Sequence, residues 1–135
     1  MPVLRGLIAL KSGAAPSAID VLKDTASSEL ATPRVALHGY FGTLYPTYVR
    51  GLAYLAERDG VRAAAQFQKI LDHPDLVGSD PVGVIAHLQR ARALVVAKQR
   101  DAAAASYKSF LEIWQSADSD LPVLRQAKAE YAQLR

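Results

Sequence analysis

One spacing recurs three times in this chain and limits its fold more than any other feature. A small residue stands at Gly6, Gly51 and Ala91. Three positions on come Ala9, Tyr54 and Leu94; twelve on, Ala18, Ala63 and Ala103; sixteen on, Leu22, Phe67 and Tyr107. The units are offset by 45 and then 40 residues, and the internal spacing does not change. The physical reading is a helical hairpin. A small residue on the first helix and an alanine early in the second let two backbones approach, and a large side chain one turn later fills the groove beside the contact. The second unit, 48–73 (YVRGLAYLAERDGVRAAAQFQKILDH), shows it most clearly, as two amphipathic stretches joined by a polar turn at 57–60.

The rest of the chain agrees with helices. Alanine fills 24 positions and β-branched residues are sparse, which favours closely packed helices. Gly13 ends a first helix and Pro16 opens the next, glycine past a helix end and proline inside a helix start. Asp80 followed by Pro81 is a cap and a first helical position, and Asp101 reads as a further cap. The expected fold is all-α: a first hairpin over 3–24, a structured loop over 25–43, a second hairpin over 44–73, a third over 81–115 and a capping helix over 121–134, about seven helices in one domain. Residues 74–80 read as a short loop. In the last helix Leu121, Leu124, Ala127, Tyr131 and Leu134 form an apolar stripe, while Arg125, Lys128, Glu130 and Gln133 make the wet side expected of a terminal cap. The 25–43 segment is apolar for a loop (Leu30, Val35, Leu37, Tyr40, Phe41) and is expected to pack onto the domain.

The pattern resembles the tetratricopeptide repeat, small–x2–Tyr–x8–Ala–x3–Phe/Tyr. The competing reading is an ordinary bundle whose alanines align by chance, with its hairpins around one centre rather than side by side. The residues also resemble the C-terminal helical-repeat region of bacterial eukaryotic-like Ser/Thr protein kinases and of related winged-helix regulators. The likeness is carried by YVRG at 48–51, FQKILDH at 67–73, LQRAR at 88–92, FLEIW at 110–114 and ADSDLPVLRQAK at 117–128, and is looser before Tyr45. In such kinases the catalytic domain comes first and a membrane span often precedes the repeats. The chain contains no Gly-rich loop, no His-Arg-Asp and no Asp-Phe-Gly. The resemblance therefore implies an accessory sensing or docking segment of a larger signalling protein, either the extracytoplasmic part of a membrane-anchored kinase or a cytoplasmic one.

Composition argues against several function classes. A net charge of +3 is small, and Lys and Arg are spread along the chain instead of clustered, so nucleic acid is not an expected partner. No apolar run is long enough for a membrane span. The absence of cysteine excludes disulfides and Cys-ligated zinc. His38, His73 and His87 lack metal-ligand spacing, and no Gly-x-Ser-x-Gly is present. Neither a catalytic residue, a cofactor nor a metal is expected. Asp118 and Asp120 read as helix-capping acids, and Arg50 as a structural ion-pairing group.

A binding face is the remaining candidate. In stacked hairpins the first helices line one side. The positions expected there are Tyr45, Tyr48, Leu52 and Leu55 of the second unit, Ile85, Leu88, Arg92 and Val95 of the third, with Leu7 and Lys11 of the first. Aromatic residues and arginine are favoured interface anchors. The packing set is Gly6, Ala18, Leu22, Gly51, Tyr54, Ala63, Phe67, Ala91, Leu94, Ala103 and Tyr107. Two uses of the face stay open: a protein or peptide partner, self-association included, or cover by the chain's own 25–43 loop through Tyr40 or Phe41. A small-molecule pocket between face and loop is the alternative function.

Overall fold

The computed structural model describes residues 1–31 and 44–134 in full, and the backbone at 35–36 and 39–40. The described residues form eight helices: α1 (Pro2–Lys11), α2 (Ala15–Lys23), α3 (Tyr45–Ala56), α4 (Gly60–Leu71), α5 (Pro74–Val77), α6 (Pro81–Val96), α7 (Arg100–Ile113) and α8 (Pro122–Ala132). A two-residue antiparallel ladder pairs β1 (Val35–Ala36) with β2 (Gly39–Tyr40). Helix α5 was not expected. It is a single turn of PDLV started by Pro74, and four residues are too few to show a period in sequence. Within the described residues no helix is long and apolar enough to cross a membrane.

The same three-residue turn joins α1 to α2, α3 to α4 and α6 to α7. Its middle residue has a left-handed backbone: Gly13 at φ 80°, Arg58 at 59° and Lys98 at 61°. The amides of Gly13, Arg58 and Lys98 donate to the carbonyls of Leu10, Leu55 and Val95. The next amides, of Ala14, Asp59 and Gln99, donate to Ala9, Tyr54 and Leu94. This pair of bonds closes the last turn of a helix and sends the chain back along it. The turn also sets where each second helix begins. Gln99 therefore precedes α7 as its N-cap, and Asp101 lies inside the first turn rather than capping it.

The helices pack in serial order. Each hairpin is tight within itself; α2 packs on α3, α4 on α6 and α7 on α8. The first helices also touch, α1 with α3 and α3 with α6. The recurring sequence positions explain the contacts. A methyl on Gly6 would lie 3.0 Å from Leu22, and one on Gly51 would lie 2.6 Å from the Phe67 ring. Ala91 and Tyr107 share the third core cluster with Phe110, Leu124 and Ala127. Ala18, Ala63 and Ala103 are fully buried. Between the second and third hairpins the backbones themselves meet: a methyl on Gly60 would lie 2.4 Å from the Ala93 carbonyl oxygen and 2.5 Å from the Ala97 nitrogen.

Turns over 24–31 follow α2, with Ser28 and Ala31 amides bonded to Thr25 and Ser28 carbonyls. Here the expectation for Leu30 fails. Leu30 is exposed, and its neighbour Glu29 is buried instead, because two cations reach it (below). The expected contribution of Val35, Leu37, Tyr40 and Phe41 side chains lies outside the described residues.

Candidate functional site

Among the described residues, α3 and α6 lie side by side and carry most of the expected binding positions. Tyr48 sits edge-on to Phe67, with ring centroids 5.7 Å apart, which fixes its rotamer against the core of hairpin two. Its hydroxyl end lies beside Gln89 and Arg92; burial pushes the phenol up, and these two neighbours oppose the rise. Leu52 and Leu55 are half-buried and pack partly on the same core. Ile85 is half-buried, and Lys11 and Val95 are exposed. Tyr45 is exposed, with its hydroxyl donating to Asp80 at 2.9 Å. Asp80 meanwhile accepts from the Val82 amide and so caps α6.

Leu88 does not belong to this face. It is 0% exposed and sits in the third cluster with Phe110 and Leu124. The reason is α8: it packs against α7 and joins the cluster that covers Leu88. Of the packing positions, all are buried except Tyr54, which is half-buried with the Arg62 guanidinium 4.7 Å above its ring.

Arg92 is not a free anchor. Its Nε and Nη2 donate to the two oxygens of Glu130, both at 2.9 Å, tying α6 to α8. Tyr107 donates to the same carboxylate at 2.8 Å. Burial raises the Glu130 pKa, but the bonds from Arg92 and Tyr107 outweigh it and leave the group lowered. Burial together with Glu130 pushes the Tyr107 phenol well above its usual range. Glu130 is therefore not part of the wet side of α8, as the stripe had implied. Beside this triad an open cleft of about 390 Å³ lies between α6, α7 and α8, with Val95 and Leu134 in its lining. Lys98 and Arg100 stand at its neighbouring rim.

A second polar assembly lies behind α3. Arg50 is 7% exposed and donates through Nη2 to the Leu22 carbonyl at 2.6 Å and to the Glu29 carboxylate, and through Nη1 to Gln66 at 3.0 Å. Lys69 donates to Glu29 at 2.8 Å, and the Thr25 hydroxyl lies 3.0 Å from it. Burial works to raise the Glu29 pKa; the hydrogen bonds from Arg50, Lys69 and Thr25 win and bring it to about 2. This arrangement staples the turns after α2 onto α3 and α4. Arg50 thus meets structural groups, and its partner Glu29 was not legible: the residues stand 21 and 40 positions from their cations.

No group of His, Asp and Glu that could hold a metal occurs among the described residues. His73 is tied by Nδ1 to the Lys69 carbonyl at 2.8 Å, and Asp118 accepts the Asp120 amide in a turn. His87 is half-buried and lines a cavity of about 240 Å³ with Ile70, Leu71, Val77, Val84 and Ile113. Burial, with Arg90 nearby, lowers its pKa and favours the neutral ring. No family model, curated protein or solved structure matches the chain.

Proposed function

We propose that this chain is a non-catalytic protein-interaction module: three tetratricopeptide-like hairpins stacked in series, closed by α8, that hold a peptide or a segment of a partner along α3 and α6. The supporting observation is the recurring turn together with contacts between successive first helices, α1 with α3 and α3 with α6. Tyr48, Leu52 and the Val95–Leu134 cleft supply apolar area there, and the Arg92–Glu130 pair supplies polar groups at its edge. The kinase-region resemblance adds a setting, an accessory sensing or docking segment of a larger signalling protein.

The test is selection from a random peptide library, followed by amide-shift mapping of the selected peptides. The reading requires shifts at Tyr48, Leu52 and Val95 and loss of binding in Leu52→Glu. Shifts confined to other helices would contradict it. A small-molecule-sensing role has one observation behind it, the apolar cavity beside His87. Metabolite-induced melting shifts that survive Tyr48→Ala but vanish in Val84→Trp would favour that role.

A further inference from the structure

The register that aligns the hairpins also aligns the faces with which each first helix meets the unit before it. Leu4, Arg5 and Ile8 of α1 occupy the places of Val49, Arg50 and Ala53 in α3 and of Gln89, Arg90 and Ala93 in α6. In α3 this face covers the preceding hairpin. Ala53 packs on Ala15 and Ala18 of α2, Val49 reaches Gly6, and Arg50 takes the last-turn carbonyl of Leu22 and the Glu29 carboxylate just past the helix. In α6 the same face covers α4: Ala93 shares a core with Ala63, and its carbonyl lies against Gly60.

In α1 no described residue covers that face to the same extent. Leu4 is 55% and Ile8 60% exposed, where Val49 is 1% and Ala53 0%. Leu7 is exposed beside them, and Arg5 makes no ion pair among the described residues. Contiguous exposed apolar side chains on a helix mark an interaction site.

We propose that α1 docks an amphipathic helix from outside these 135 residues, with alanine or glycine at its contact positions and a carboxylate just beyond its C-terminal end. The occupant follows from the two faces already filled: small side chains meet this face on α2 and α4, and an arginine in the Arg5 place takes a helix-end carbonyl and a carboxylate. A second copy is the poorer occupant, since two α1 faces set together would oppose Arg5 and Lys11 with no acid between them. The inference uses the shared register and is independent of binding along α3 and α6.

The probe is a peptide of residues 14–31 (AAPSAIDVLKDTASSELA), the segment that covers α3, stapled as a helix on its outer side and titrated into the isotope-labelled chain. The expected result is saturable amide shifts over residues 4–11, unchanged in Tyr48→Ala and abolished in Leu4→Asp/Ile8→Asp. Both substituted positions are exposed, so the variant's melt should match the parent. Binding should fall about tenfold in Arg5→Glu or with Glu29→Gln in the peptide, the scale of one charged contact. No shift at millimolar peptide, or shifts confined to α3, would overturn the proposal. So would α1 shifts that grow with protein concentration alone, which would identify a second copy as the occupant.

Discussion

Glu29 is a carboxylate with 1% exposure, and it stays ionised because Arg50, Lys69 and Thr25 satisfy it. Replacing Glu29 leaves the buried Arg50 charge uncompensated, so Glu29→Gln should cost about 3–5 kcal/mol in urea unfolding at pH 7. The pH dependence has a definite sign. The folded pKa, about 2, lies below the ordinary 4.5, so the stabilisation is complete above pH 4.5 and is lost as pH falls toward 2. Unfolding midpoints followed from pH 6 to pH 2 should drop steeply in the parent and less steeply in Glu29→Gln. Equal slopes would show that the carboxylate is not held this way. No local pattern announces this residue, because its partners come from α3 and α4 and a single sequence gives no view of pairs so distant. Gly51 was legible for the opposite reason: its need for smallness is met by Phe67, sixteen positions on within one recurring motif.

At the level of elements, the three turns carry a prediction of their own. Arg58 and Lys98 adopt the left-handed backbone that Gly13 adopts without a side chain. A non-glycine residue pays about 1 kcal/mol there. Arg58→Gly and Lys98→Gly should therefore leave stability unchanged or raise it slightly despite glycine's greater chain entropy, whereas Gly13→Ala should lower it by about 1 kcal/mol. Parallel urea melts decide this, and loss of stability in all three would refute the shared geometry. Gly60 makes a stronger demand, since α6 backbone atoms stand where its side chain would be. Gly60→Val should cost about 3 kcal/mol or more, measured the same way, because a backbone cannot yield as a side-chain tip can. The helical hairpins could be read from periodicity and punctuation. Helix α5 could not, nor could the burial of Leu88 and the pairing of Glu130, because both depend on where α8 lands rather than on the helices' own patterns.

At the scale of the whole molecule, the described helices touch their neighbours in chain order. Contacts run from each hairpin to the next, so a change at one end should be felt locally. Leu124→Ala, which opens a cavity between α8 and its support, should lower hydrogen-exchange protection in α6 and α7 more than in α1 and α2. A uniform loss would indicate one shared core in place of a stack. The proposed binding face was legible as a set of helix positions but not as a surface: Leu52 and Tyr48 are half-buried, Leu88 is taken into the core, and Arg92 is paired with Glu130. The separation of packing from binding is tested most directly by two adjacent residues. Urea melts and titrations with a library-selected peptide should be run on Gly51→Leu and Leu52→Glu. Gly51→Leu should be strongly destabilised, while Leu52→Glu should stay within about 1–2 kcal/mol of the parent and lose the peptide. If Leu52→Glu unfolds as readily as Gly51→Leu, or binds the peptide unchanged, the face of α3 is not where a partner is held.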